Sequence, residues 1–160
     1  MKRTPSSPEE GALDQLGGQE LLGNFRTGER RKIAHFLSLR ELAEGEALVS
    51  QGDLNPGLVL LLSGEVQLSH NDESNQTATW SLSECGQLIG EHGLVDPEPS
   101  LISAVATVPS RVLVLDQSGL SDLLDRHPKI GTKLLLNLSR FVGTRLRLTN
   151  ERLGTGIEPT

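Results

Sequence analysis

Leu58-Val59-Leu60-Leu61-Leu62-Ser63-Gly64-Glu65-Val66-Gln67-Leu68-Ser69-His70 is the stretch on which the fold turns. It opens with an unbroken apolar run, breaks at Ser63-Gly64 and resumes as the alternating Val66-Gln67-Leu68. An unbroken short run bounded by turn residues reads as a strand covered on both faces, whereas alternation reads as a strand with one face in the core. The same texture continues outward in both directions. Ala47–Ser50, Ala78–Leu82, Ser103–Val108 and Val112–Leu115 are further strand candidates, and Trp80-Ser81-Leu82 alternates as a half-buried wall strand would. Between them stand Gly52-Asp53, Asn55-Pro56-Gly57, Asn71–Asn75, Glu84-Cys85-Gly86 and Pro109-Ser110, turn clusters at the spacing expected of packed short strands.

Helical patterning brackets this strand-rich middle. From Gln19 to Leu39 apolar residues recur at Leu21, Leu22, Phe25, Ile33, Phe36 and Leu37, which predicts two short helices, the second capped by Thr27. Residues 1–18, rich in Pro, Ser, Gly and Glu, are expected to be a flexible tail. Gln117–Asp125 predicts a short helix with Ser118 near its cap and Leu120, Leu123 and Leu124 inward. Pro128 suits the first turn of a long helix running to Leu153, with residues 154–160 a second tail. That helix carries two apolar stripes, one of Leu134, Leu138, Phe141 and Leu148, the other of Leu135, Val142, Leu146 and Leu153. A second stripe predicts a second surface, with a partner helix as occupant; the alternative is that both stripes bury against the strands.

At 160 residues the chain suits one domain, here an α+β domain over residues 19–153, with strands in 47–115 and C-terminal helices in 117–153. The net charge of −6 is unevenly placed. Residues 1–128 hold nine Lys/Arg and nineteen Asp/Glu, while Lys129–Leu153 holds six Lys/Arg and only Glu151. Such an acidic body disfavours general nucleic-acid binding, and the basic stretch reads as the solvated face of an amphipathic helix. Three Phe, one Trp and no Tyr leave little from which to build a base-stacking platform. The lone Cys85 excludes an internal disulfide and suits a half-buried thiol in a reducing compartment. No apolar stretch approaches the ~20 residues of a membrane span, and the polar N-terminus is no secretory leader, so the expected location is cytoplasmic.

The order of helices, Gly-punctuated strands, compact insertion and long terminal helix resembles the cyclic-nucleotide-binding domain of the catabolite-activator and regulatory-subunit superfamily. Ala43-Glu44-Gly45-Glu46-Ala47-Leu48-Val49-Ser50-Gln51-Gly52-Asp53 resembles its opening strand and turn. Leu60-Leu61-Leu62-Ser63-Gly64-Glu65-Val66 resembles its next hairpin, and Gly86-Gln87-Leu88-Ile89-Gly90-Glu91-His92-Gly93-Leu94 the start of its phosphate-binding cassette. The resemblance implies an antiparallel β-roll with a short cassette helix. In that cassette the helix start aims backbone N–H groups at the cyclic phosphate, a glutamate accepts from the ribose hydroxyl, and an arginine pairs with the phosphate. Gly90 would be the turn and Glu91 the ribose acceptor.

The arginine is missing. Its position falls on Ser100, the small residues that follow it fall on Leu101 and Ile102, and no Lys or Arg lies between Glu91 and Val108. Asp96 and Glu98 instead add negative charge. An unpaired phosphate in a partly dry site would lose roughly 2–5 kcal/mol relative to a paired one, with Leu101 and Ile102 expected to fill its space. The site residues in question are Gly90, Glu91, His92, Gly93, Ser100, Leu101 and Ile102. The expectation is weak or absent binding of cyclic AMP or cyclic GMP, the alternative a genuine cyclic-nucleotide sensor with a non-standard anion site.

Other chemistries lack their residues. There is no H-E-x-x-H spacing around His92, no G-x-S-x-G elbow and no Gly-rich nucleotide loop, so neither a metal nor an enzyme activity is expected. Transcriptional members of the superfamily carry a helix-turn-helix unit after the long helix, and about seven residues follow it here, so sequence-specific DNA binding is not expected. What remains is a regulatory module without a cofactor. Its partner would be a protein, or a second copy met through Leu135, Val142, Leu146 and Leu153.

Overall fold

The computed structural model describes residues 7–16, 21–94, 96 and 98–154, with His92 described in its backbone alone. Its elements run α1 (Pro8–Gln15), α2 (Thr27–Ala34), β1 (Ser38–Leu42), β2 (Ala47–Val49), β3 (Leu58–Ser63), β4 (Val66–Asn71), β5 (Thr77–Leu82) and β6 (Leu88–Ile89). A 3₁₀ turn at Glu91–Leu94 precedes β7 (Ser103–Ala106), β8 (Ser110–Leu115), α3 (Gln117–Arg126) and α4 (Pro128–Arg152). The strands form two antiparallel sheets, ordered β1-β8-β3-β6 and β2-β7-β4-β5. The architecture is the α+β roll with a long C-terminal helix.

The sheet containing β3 is covered on both sides, which is why its central strands are apolar throughout. Leu58, Leu60 and Leu62 of β3 and Leu113 and Leu115 of β8 pack beneath the helices, in a core shared with Leu13, Phe25, Ile33, Leu123 and Leu134. Val59, Leu61, Val112 and Val114 point the other way, into the space between the sheets, where Leu48, Val66, Leu68 and Ala104 meet them. Period-two side chains thus serve two cores at once.

Four expectations need correcting. Residues 8–16 of the supposed tail form α1 and its cap: Ser7 accepts from the Glu10 N–H at 3.2 Å, and Ala12, Leu13 and Leu16 are buried. Glu10 itself pairs with Arg31 of α2. Within Gln19–Leu39, residues 21–24 are turns, 17–20 lie outside the described residues, and Ser38–Leu42 is strand rather than helix end. Its partner β8 supplies the ladder from Ser38–Val114 to Leu42–Ser110. The caps also sit one or two residues earlier than Thr27 and Ser118. Arg26 precedes α2 and donates its N–H to Glu29 at 3.0 Å, and Asp116 caps α3 by accepting from Gly119 at 2.7 Å. Finally, β5 is an edge strand paired only with β4, so Trp80 stands 40% exposed instead of half-buried in a wall, and Cys85 just beyond it is exposed too.

Candidate functional site

The cassette turn is held from behind by the Asn55-Pro56-Gly57 turn. Gly90 has φ +68°, and a Cβ there would lie 3.0 Å from both the Asn55 Oδ1 and the Gly57 carbonyl, so a glycine is required. Asn55 accepts from the Gly57 N–H at 3.0 Å and packs its amide against Gly93, whose carbonyl in turn accepts from Gln117 of α3 at 3.1 Å. The turn at Glu91–Leu94 is therefore braced by both the roll and α3. Leu94 is buried in the helical core.

Beside this turn lies a cleft of about 680 Å³, bordered by Gln51, Asn55, Asp96, Glu98, Ser100 and Leu101. Its serine and glutamine side chains are already bonded within the chain. The Ser100 hydroxyl, 4% exposed, donates to the Ile102 carbonyl at 2.8 Å and accepts from its N–H. Gln51 exchanges two hydrogen bonds with the Asn71 backbone, at 2.8 and 2.9 Å. No Lys or Arg borders the cleft, and Asp96 and Glu98 are exposed at its rim. Any anion entering would meet negative charge and no fixed donor cation.

Glu91 is not free in this arrangement. Its carboxylate, 11% exposed, accepts from Arg145 of α4 at 2.8 Å, and the Arg145 guanidinium also stacks 5.5 Å from the Phe141 ring centre. The residue expected to accept from a ribose hydroxyl instead ties the last half-buried turn of α4 to the cassette. Nothing in the sequence announces this pair, since its members lie 54 residues apart.

Gly90, Glu91 and Gly93 come together at the turn with the His92 backbone between them, and Ser100 lies across the cleft. Leu101 departs from expectation. It is 65% exposed on the rim and fills no space, its carbonyl held by His70 Nδ1 at 2.6 Å. Ile102 is half-buried and packs into the core between the sheets. The chain turns outward at Leu101 because Ser100 already hydrogen-bonds back into the turn before β7 begins. On α4, Leu135 packs against the helical core of its own domain, whereas Val142, Leu146 and Leu153 are 39%, 60% and 69% exposed. Among the described residues no group of three or more His, Cys, Asp or Glu could hold a metal. No helix among them is long and apolar enough to cross a membrane.

Comparison with known proteins bears on this geometry. The sequence model of the family described as the cyclic nucleotide-binding domain matches residues 39–127. The cyclic AMP receptor protein of Thermus thermophilus is 31% identical over 132 residues, covering 82% of this chain and 59% of that protein. A cAMP-dependent protein kinase regulatory subunit of Mycosarcoma maydis is 28% identical over 121 residues, or 68% of this chain and 23% of that one. The chain thus spans 59% and 23% of the length of these two relatives. A crystal structure of a cyclic nucleotide-binding domain from Methylobacillus flagellatus superposes with a TM-score of 0.79 at 28% identity, covering 93% of this chain and 86% of the other.

Proposed function

The chain belongs to the cyclic nucleotide-binding domain family, and on that premise we propose that it is a non-catalytic regulatory module whose cassette does not hold cyclic AMP or cyclic GMP in the usual way. The observation that carries this reading is the cleft beside the cassette, bordered by two carboxylates and no cation. The buried Ser100 hydroxyl, spent on its own turn, and Glu91, paired with Arg145, support it further. An unpaired phosphate there would lose roughly 2–5 kcal/mol, about a thirtyfold to several-thousandfold loss of affinity.

The module would act through a protein. The exposed Val142, Leu146 and Leu153 on α4 offer an apolar stripe for a partner helix, and a second copy of this chain is the simplest occupant. We place the module in the cytoplasm, where an exposed thiol such as Cys85 stays reduced. One observation favours a second reading. Leu101 leaves the cleft open, which suits a cyclic-nucleotide sensor using a non-standard anion site.

Thermal melts of the protein with cyclic AMP, cyclic GMP, cyclic di-GMP and cyclic di-AMP test the proposal. No shift in melting temperature with any of the four is the expected result. A rise of several degrees at saturating concentration of one of them would establish the sensor reading instead.

A further inference from the structure

A second cleft, of about 640 Å³, opens on the helical side, between the start of α2 and the junction of α3 with α4. Five cations border it, Arg26 and Lys32 from α2 with Arg126, Lys129 and Lys133 from the α3–α4 junction, against the single carboxylate of Glu29. Arg26, Lys32, Arg126 and Lys129 are exposed, and among the described residues none of the four forms an ion pair. Lys133 is the structural member of the set. It donates to the Asn24 carbonyl at 2.6 Å, approaches Glu29 at 3.4 Å and lies 4.7 Å from the Phe25 ring centre, which joins α4 to the approach to α2.

The placement of these cations is electrostatically unfavourable for the protein alone. The 25-residue α4 begins here, with no acidic residue in its first turn and no side-chain cap from His127. The positive end of a helix favours an anion, and its first N–H groups lack helical partners. Here Lys129 occupies that turn and Arg126 directly precedes it. Uncapped N–H groups, unpaired cations and a concave surface converge on one place.

We infer that this cleft is a binding site for a small soluble oligophosphate, an anion with several linked phosphate groups, held by Arg26, Lys32, Arg126 and Lys129 at the start of α4. Linked phosphates match a cluster of several cations better than a single anion does, and guanidinium groups take phosphate oxygens in pairs. A small ligand suits the rest of the molecule. The chain carries a net charge of −6, which disfavours an extended polyanion such as a nucleic acid or an anionic membrane and favours a ligand small enough to meet only the cleft. None of the residues invoked belongs to the cassette.

Isothermal titration of the full chain with sodium tripolyphosphate at low salt tests this. One saturable site is expected, weakening as salt is raised, with inorganic phosphate at least about tenfold weaker. The double variant Arg126→Gln, Lys129→Gln should lose about thirtyfold or more in affinity while melting no lower than the unaltered protein. Arg145→Gln, beside the cassette, should bind as the unaltered protein does. Co-sedimentation with phosphatidylcholine vesicles carrying a phosphoinositide bisphosphate is expected to show no binding. An absence of saturable heat, an unchanged affinity in the double variant, or binding to vesicles but not to tripolyphosphate would each overturn the inference.

Discussion

Two clefts of nearly equal size, about 680 and about 640 Å³, differ in almost every chemical respect. The first lies against the cassette turn, is bordered by Asp96 and Glu98, and has its glutamine amide and its serine hydroxyl bonded into the surrounding backbone. The second lies where α2 meets the start of α4, is bordered by five cations and keeps four of them unpaired. The roll supplies a concavity beside the cassette by its topology, whereas the charge needed to use it for a phosphate depends on individual residues. In the cassette cleft that charge is absent, and at the helical junction four of the five bordering cations form no ion pair among the described residues.

The two regions are also held differently, and substitutions can separate them. The cassette rests on backbone packing. Gly57, at φ +110°, leaves no room for a Cβ, which would come 2.3 Å from the Leu115 carbonyl oxygen. Gly57→Ala should therefore lower stability by about 3 kcal/mol, read as a reduced urea midpoint, because both the backbone and the neighbouring strand must shift. A midpoint within error of the unaltered protein would mean that the turn behind the cassette is soft.

The helical cleft should respond in the opposite direction. Lys129→Glu places a carboxylate in the first turn of α4, where the helix favours one, and should raise stability by about 0.5 kcal/mol while removing a cation from the cleft. A destabilised variant would show that the cations there are internally compensated.

The smallest effect concerns Glu29. The N–H of Arg26 donates to its carboxylate and holds the group below its ordinary value of 4.5, with Lys133 acting in the same direction. A carboxyl lowered by folding adds stability that is complete above the unfolded value and is lost as pH falls through the folded one. The urea midpoint of the unaltered protein should thus fall more steeply below about pH 4.5 than that of Glu29→Gln. Parallel acid limbs would show that Glu29 contributes nothing to the balance at this junction.

Much of the fold is legible because it rests on local pattern. Leu58–Leu62 is apolar throughout and lies between two cores, and Pro128 opens α4 where the first turn tolerates it. The parts that escape reading depend on distant partners. Ser38-Leu39-Arg40-Glu41-Leu42 has no β-branched residue and becomes a strand by pairing with β8. Residues 8–16 look like a polar tail until Leu13 and Leu16 meet the helical core. At the cassette, the missing arginine and the Asp96 and Glu98 charges are visible in the sequence, whereas the Arg145–Glu91 pair and the outward turn of Leu101 are set by tertiary geometry. The basic C-terminal stretch reads as solvated surface along the chain, and Lys129 and Lys133 join Arg26, Lys32 and Arg126 only after folding.

The cassette cleft lacks a phosphate-binding cation while remaining open to a ligand. Calorimetric titration of cyclic AMP into the unaltered protein and into Ser100→Arg, with a melting curve to confirm that the variant is folded, tests this most directly. Cyclic AMP should bind the variant at least about thirtyfold more tightly than the unaltered protein. Micromolar binding by the unaltered protein, or a folded Ser100→Arg protein that still does not bind, would contradict this account.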